Sequence, residues 1–290
     1  MKVLILGGSG FLGSYVADEL SRKGHKVTIF DKKKSRWLQR KQKMIIGDIQ
    51  NVSLLEKVIK GSEIVYNFAA IADIGEALED PTQTVKTNIL GTVNILELCK
   101  KYQVKRFVFA SSIYVYSNQG GFYRVSKQAS ELFVEEYSNR YKLNYTILRF
   151  GSIYGPRSDI RNGLSKIISN SLKTGTVRYG GTAKAIRQFI HVNDAAKASV
   201  DILKRKFVNQ NVLITGRKTS KIKELLYLIA KILNIPKKPK FDNKTQQGHY
   251  NVTPFSYKPK PGKKYFTKSS VQLGQGILQL VDEIKKGKIK

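Results

Sequence analysis

Short apolar runs alternate with amphipathic stretches through the first 150 residues. Val3–Leu6, Lys26–Phe30, Met44–Ile46, Ile64–Phe68, Arg106–Ala110 and Tyr145–Arg149 are brief and rich in β-branched and aromatic residues, and they read as strands. Gly13–Lys23, Val52–Lys60, Thr84–Tyr102 and Tyr123–Tyr141 repeat apolar residues at three- and four-residue intervals and read as helices. In the third of these, Val85, Ile89, Val93, Leu96 and Cys99 fall near one face. Strands alternating with helices build βαβ units. These give a parallel sheet with helices on both faces and right-handed crossovers. The expected class is α/β, a doubly wound parallel sheet.

Beyond Arg149 the rhythm loosens. Leu164–Thr174, Asn193–Lys204, Ile222–Leu233 and Gly276–Lys286 read as helices, and Arg187–Val192 as a strand. The Pro- and Lys-rich stretch Ile235–Lys268 has little periodicity and reads as irregular, solvent-facing structure. The expected organisation is a nucleotide-binding domain over 1–150, with 185–217 returning to it. The remainder of 151–290 forms a smaller, mixed α/β C-terminal lobe for the substrate.

Composition narrows the classes. A chain of 290 residues buries a substantial core, and 41% hydrophobic residues exclude a disordered one. No run approaches the ~18 consecutive apolar residues of a membrane span. The opening apolar run is four residues long and leads into glycines, which fits a buried strand better than a secretory signal. The single cysteine, Cys99, excludes an intrachain disulfide framework, fits a reducing cytoplasm, and reads as a buried thiol. The net charge of +31, from 52 basic and 21 acidic residues, suits nucleic acid, an anionic membrane or small anionic substrates. The lysines are scattered, however, with no basic ribbon interleaved with aromatics and no zinc-ligand spacing. The charge therefore reads as solvated surface, and neither nucleic acid nor membrane is an expected partner.

Candidate chemistry starts at Gly7-x-x-Gly10-x-x-Gly13, between the first strand and the first helix. One glycine lets the chain leave the sheet, one lets the backbone approach a pyrophosphate, and one lets helix and strand pack closely. The helix N-terminus, with Phe11 and Leu12 leading into it, then offers free N–H groups to that anion. Asp31 ends the second strand, where a carboxylate accepts bonds from both adenosine ribose hydroxyls and repels a 2′-phosphate. NAD is thus favoured over NADP in a Rossmann-type site, although Lys32, Lys33 and Lys34 could soften that discrimination. Asp48 and Ile49, after the third strand, suit an adenine contact.

A second constellation lies downstream. Tyr123 and Lys127 are spaced i, i+4 on one face of a helix, and Ser111 and Ser112 end the preceding strand at the carboxyl edge of the sheet. A phenol of pKa about 10 is a poor base at neutral pH, and a neighbouring ammonium favours its phenolate. A serine hydroxyl there can hold a substrate oxygen beside the phenol.

Together with Asn67-Phe68-Ala69-Ala70, Asn88-Ile89-Leu90-Gly91-Thr92, Leu148–Arg157 and Arg187–Val192, these motifs cover most of the chain. The sequence resembles the extended short-chain dehydrogenase/reductase superfamily in its NAD-dependent epimerase/dehydratase branch, of the UDP-galactose 4-epimerase type. The resemblance implies that Tyr123 is the general base and acid and that Ser112 orients the substrate. Lys127 would hold the nicotinamide ribose and lower the tyrosine pKa. Phe68, Ala69, Ala70, Ser111 and Phe150 would line the cofactor, with Asn88 behind the site. Arg187 would grip a nucleotide diphosphate, with Ser152, where many relatives carry asparagine, and Arg157 nearby. Arg161 is a further anion candidate, and His191 reads as structural. The implied reaction is oxidation at C4 of a UDP-, GDP- or dTDP-linked sugar, by a homodimer joined through Thr84–Tyr102 and Tyr123–Tyr141.

Two features depart from the branch. Ile113 and Tyr114 stand where 4,6-dehydratases carry an Asp-Glu pair, so elimination of water lacks its acid and base. The loop from Ser112 to Tyr123 is also short. A 4-epimerase, a 4-dehydrogenase and a 4-ketoreductase all need the same serine, tyrosine and lysine, so these readings stay open. A non-catalytic dinucleotide sensor or nucleic-acid binder on the same scaffold is the alternative from another class.

Overall fold

The computed structural model describes residues 1–242 and 262–287. β1 (Lys2–Leu6), α1 (Phe11–Arg22), β2 (Lys26–Asp31), β3 (Lys43–Ile46), α2 (Val52–Ile59) and β4 (Ile64–Asn67) open the chain. Two short helices follow, α3 (Ile74–Glu79) and α4 (Pro81–Thr84), then a π-helical stretch over Val85–Leu90 and α5 (Gly91–Lys101). β5 (Arg106–Ser112), a 3-10 turn at Ile113–Tyr116, α6 (Gly121–Tyr141) and β6 (Tyr145–Phe150) complete the first half. The second half holds β7 (Ser152–Tyr154), α7 (Gly163–Thr174), β8 (Arg178–Tyr179), β9 (Ile186–Arg187), β10 (Phe189–His191), α8 (Val192–Asp201) and β11 (Gln210–Ile214). It closes with β12 (Ser220–Lys221), α9 (Ile222–Ile232), β13 (Lys240–Phe241), β14 (Lys263–Lys264) and α10 (Leu273–Lys285).

Eight strands form one sheet in the order β14-β11-β6-β5-β4-β1-β2-β3, every neighbouring pair parallel. This is the doubly wound sheet that the alternating pattern predicts. β1 shows why its strands read as unbroken apolar runs: Val3 and Ile5 pack under α1 and α8, while Leu4 and Leu6 pack under α2, α5 and α6. A third core ties α7, α9 and α10 together through Leu164, Ile168, Leu226, Ile229, Ile277 and Leu280. Around it lie three two-stranded ladders, which make the smaller mixed lobe.

Several elements differ from expectation. The helix expected over Thr84–Tyr102 is broken in kind, because its start is π-helical and only Gly91–Lys101 is regular α-helix. The strand expected over Arg187–Val192 divides into β9 and β10, which pair with different partners, and Val192 already belongs to α8. Within Ile235–Lys268, read as irregular, β13 pairs with β8 and β14 extends the large sheet; residues 243–261 of that stretch lie outside the described residues. Cys99 is buried, and burial pushes its thiol far above the ordinary range. Among the described residues no helix is long and apolar enough to cross a membrane.

Candidate active site

The loop after β1 is built for close backbone approach. Gly7 has φ +78, and a Cβ there would lie 2.5 Å from the Ala69 nitrogen. A Cβ on Gly13 would fall 2.3 Å from the Gly7 carbonyl oxygen, so helix and turn could not meet. Gly10 caps α1 in extended backbone without any side-chain cap, so no side chain takes the first-turn amides that carry Phe11 and Leu12. Asp31, ending β2, accepts the Ser9 amide at 3.0 Å on one oxygen and the Lys33 amide at 3.0 Å on the other. Each carboxylate oxygen keeps a second lone pair for a hydroxyl donor. Lys32 turns away to pair with Asp48 at 2.9 Å, so it does not neutralise Asp31. Asp48 also accepts the Gln50 amide, and Ile49 is buried against Gly91. A glycine cradle at a helix N-terminus with an acid at the end of the next strand fits an adenine dinucleotide.

On the far side of β1, the loop after β4 is held by its own side chains. The Asn67 side-chain Oδ1 accepts the Ala69 amide at 3.1 Å, and Phe68 stacks on Tyr66 at 5.8 Å. Ala70 is partly buried beside Ala69. Asn88 clamps this loop: it accepts the Ile71 amide at 2.8 Å and donates to the Ile71 carbonyl at 2.9 Å and the Ser126 hydroxyl at 2.9 Å. Ser126 in turn donates to the Tyr123 carbonyl. Asn88 sits in the π-helical stretch, whose extra residue per turn sets where its side chain lies relative to α5.

The structure brings Ser112, Tyr123 and Lys127 together at the carboxyl end of β5. The Ser112 hydroxyl lies close enough to the Tyr123 phenol to favour its ionised form, and it accepts the Tyr114 amide at 3.3 Å. Lys127 is buried and donates to the Ala110 carbonyl at 2.8 Å. Its Nζ lies 5.9 Å from the Tyr123 ring centroid and 4.8 Å from that of Phe109. The buried Ser111 hydroxyl has no hydrogen-bond partner among the described residues, and Phe150 is buried at the end of the neighbouring strand.

The electrostatics modify one expectation. Burial pushes the Tyr123 phenol above its ordinary pKa, and only the Ser112 bond works against it. The lysine was expected to lower that pKa, but at this distance its charge does not overcome desolvation. Lys127 itself is pulled from 10.5 to about 8 by burial, while the Glu131 carboxylate works in the opposite direction.

Glu131, absent from the sequence reading, anchors the column. It forms a buried bidentate ion pair with Arg149, with N–O distances of 2.6 and 3.0 Å, and Arg149 also donates to the Tyr116 hydroxyl at 2.8 Å. Its spacing, four residues beyond Lys127, is the signal that could have found it. Tyr114 packs edge-on against Tyr123 at 6.3 Å and lies against Gly120. That residue has φ +104, and a Cβ there would come 2.7 Å from the Tyr114 ring.

The anion candidates separate. Ser152 lies on β7 and bonds the Gln188 carbonyl through its amide. Arg187 lies on β9, partly buried, and donates to the Ile186 carbonyl at 2.9 Å. Arg157 does not present its guanidinium as a free anion ligand. It pairs with Asp18 at 2.8 Å between the rings of Tyr15 and Trp37. Arg161 pairs with Asp159 and reaches Glu76. His191 caps α8 by accepting the Asn193 amide, and burial pulls it down to about 4.

The sequence profile of the NAD dependent epimerase/dehydratase family matches residues 3–214. A putative UDP-glucose 4-epimerase of Methanocaldococcus jannaschii is 28% identical over 305 residues, which take in 98% of each chain. A UDP-N-acetyl-alpha-D-glucosaminuronate decarboxylase of Bacillus cytotoxicus is 29% identical over 81% of this chain and 83% of its own. The crystal structure of UDP-glucose 4-epimerase from Thermotoga maritima with UDP-glucose superposes with a TM-score of 0.84. It is 25% identical and covers 99% of this chain and 100% of that one. The cradle, the acid after β2 and a family match over most of the chain lead to one conclusion: this chain belongs to the NAD dependent epimerase/dehydratase family and is an NAD-dependent enzyme that modifies nucleotide-linked sugars.

Proposed function

We propose that the chain is a 4-epimerase of a UDP-linked sugar, with Ser112, Tyr123 and Lys127 as its catalytic group. The observation that carries this reading is the approach of the Ser112 hydroxyl, at the end of β5, to the phenol of Tyr123, which shares a helix face with Lys127. Ser112 holds the C4 hydroxyl, and Tyr123 takes its proton and later returns it. Lys127 orients the ribose next to the nicotinamide and contributes positive charge. NAD, when bound, supplies the two-electron acceptor for the carbon-bound hydrogen of C4. Arg187 meets the diphosphate, a role suited to a planar, bidentate donor. Ile113 and Tyr114, aliphatic and phenolic, supply no carboxyl pair for elimination, which disfavours dehydration. A homodimer through α5 and α6 is part of the proposal, because Leu90, Phe122, Val125, Leu132 and Phe133 are exposed on or beside those helices. A cytoplasmic location goes with it.

The test is a panel of UDP-, GDP- and dTDP-linked sugars incubated with the NAD-loaded enzyme, with products resolved by NMR. Interconversion of C4 epimers without net cofactor reduction is the expected result. Stoichiometric accumulation of NADH with a keto sugar would instead make the enzyme a 4-dehydrogenase. Tyr123→Phe should lower turnover by about 10²–10⁴-fold with folding unchanged; an active variant would remove Tyr123 from the chemistry.

A further inference from the structure

The segment from Arg157 to Arg161 joins the two flanks of the cofactor cleft. At one end, the Arg157 guanidinium pairs with Asp18 of α1, both side chains only 18% exposed. It lies 4.2 Å from the Tyr15 ring centroid and 4.7 Å from that of Trp37, which follows β2. Its own amide donates to Glu283 of α10 at 2.6 Å, and its φ of +65 is a backbone conformation that the surroundings must stabilise. Next along, Asp159 feels the charge of Lys33, the residue whose amide caps Asp31. At the other end, Arg161 reaches Glu76 of α3 at 3.7 Å. Lys33 and Trp37 belong to the β2 side, and Glu76 to the β4 side. In the sheet β1 lies between β2 and β4. The contacts of the segment thus run from α1 and the loop after β2 to α3 after β4, on either side of β1 and of the Gly7–Gly13 cradle that follows it.

We propose that Arg157–Arg161 is a strap that retains the dinucleotide between successive turnovers, and that Asp18, Trp37 and Arg157 are positioning residues for it. The inference rests on the reading of the cradle as the NAD site and deepens the 4-epimerase proposal. An enzyme that takes hydrogen from C4 and gives it back to the same sugar needs its oxidant to stay, whereas a dehydrogenase must release it each cycle. The two ends are unequal. Arg157 is largely enclosed, charge-paired and stacked on two rings, whereas Arg161 is 63% exposed and bridges to Glu76 at a long distance. The first anchor holds the strap, and the second adds little.

The experiment loads purified full-length protein with NAD and follows release and rebinding by stopped-flow protein fluorescence, with residual NAD measured after gel filtration. Wild type is expected to keep its NAD. Arg157→Ala and Asp18→Asn should release it about ten- to a hundredfold faster, and Arg161→Ala less than about threefold faster. Because a strap is a gate, the association rate should rise together with the dissociation rate. A distorted cradle would instead slow association. Should Arg157→Ala fold poorly, wild type at high salt probes the same anchor by fluorescence, and Trp37→Ala, which lacks the single tryptophan, probes it by residual NAD after gel filtration; both should speed release. Equal release rates across all variants, or free exchange in wild type, would overturn the strap. Failure of every protein to bind NAD would instead overturn the cofactor site itself.

Discussion

Replacing Lys127 by methionine should make the protein more stable at neutral pH while destroying its activity. The folded state pulls the Lys127 ammonium from 10.5 down to about 8, chiefly by burial. That displacement corresponds to roughly 3 kcal/mol of penalty for carrying the buried cation. The sign follows from proton counts. Below pH 8 both folded and unfolded chains hold the proton, and the folded chain bears the full penalty. Between pH 8 and 10.5 the unfolded chain binds more protons, so stability rises with pH; above 10.5 the contribution is gone. Methionine removes the charge at similar length and forfeits the 2.8 Å bond to the Ala110 carbonyl, about 1 kcal/mol. The net gain at pH 7 is therefore about 2 kcal/mol. Urea unfolding of both proteins from pH 6.5 to 11 measures it, because subtracting the two curves cancels every other titrating group. The wild type should close its deficit between pH 8 and 10.5. A flat difference curve, or a methionine variant weaker than wild type at pH 7, would refute the claim that desolvation dominates at Lys127.

Two further outcomes follow from buried charge. Glu131→Gln leaves the Arg149 guanidinium, about 1% exposed, opposite a neutral amide, and should cost about 3 kcal/mol of unfolding free energy in urea. A loss below about 1 kcal/mol would mean the pair is not a coupled unit. His191, held at about 4 in the folded protein against an ordinary 6.5, should make stability fall as pH drops from 6.5 through 4, by roughly 3 kcal/mol. His191→Asn keeps an acceptor for the α8 cap but cannot titrate, so an unchanged acid slope in that variant would remove His191 as the cause.

The sheet was legible because a parallel strand covered on both faces leaves few polar positions, mostly at its ends. All four residues of β4 and six of the seven in β5 are buried, and they stand out from the amphipathic helices around them. β14 is the opposite case. Its two exposed lysines join the sheet through backbone pairing to Val212 and Leu213 alone, which leaves no trace in side-chain pattern. The π-helical turn at Val85–Leu90 was invisible for a related reason, since one added residue barely alters an apolar stripe although it decides where Asn88 lies. Arg157 was read as an anion partner because the family resemblance places it near the substrate diphosphate. Its actual partner, Asp18, lies far away in the chain and nothing nearby announces the pairing.

Within α6 the same limit explains what the Tyr123–Lys127 spacing could and could not say. Four-residue steps place Tyr123, Lys127 and Glu131 along one side of the helix, and the first two are recognisable because each has a chemical task. Glu131 has no such task of its own, and its need emerges only once Lys127 and Arg149 are known to be buried together. Two buried cations against one carboxylate leave this column with an excess of positive charge beside a phenol that rests above its ordinary pKa. Such a column does not bring the resting phenol below its ordinary pKa, the shift that the Tyr123–Lys127 spacing suggested. In the proposed mechanism it stabilises negative charge on Tyr123 as a substrate proton arrives or leaves, which is where a general base gains most from fixed charge.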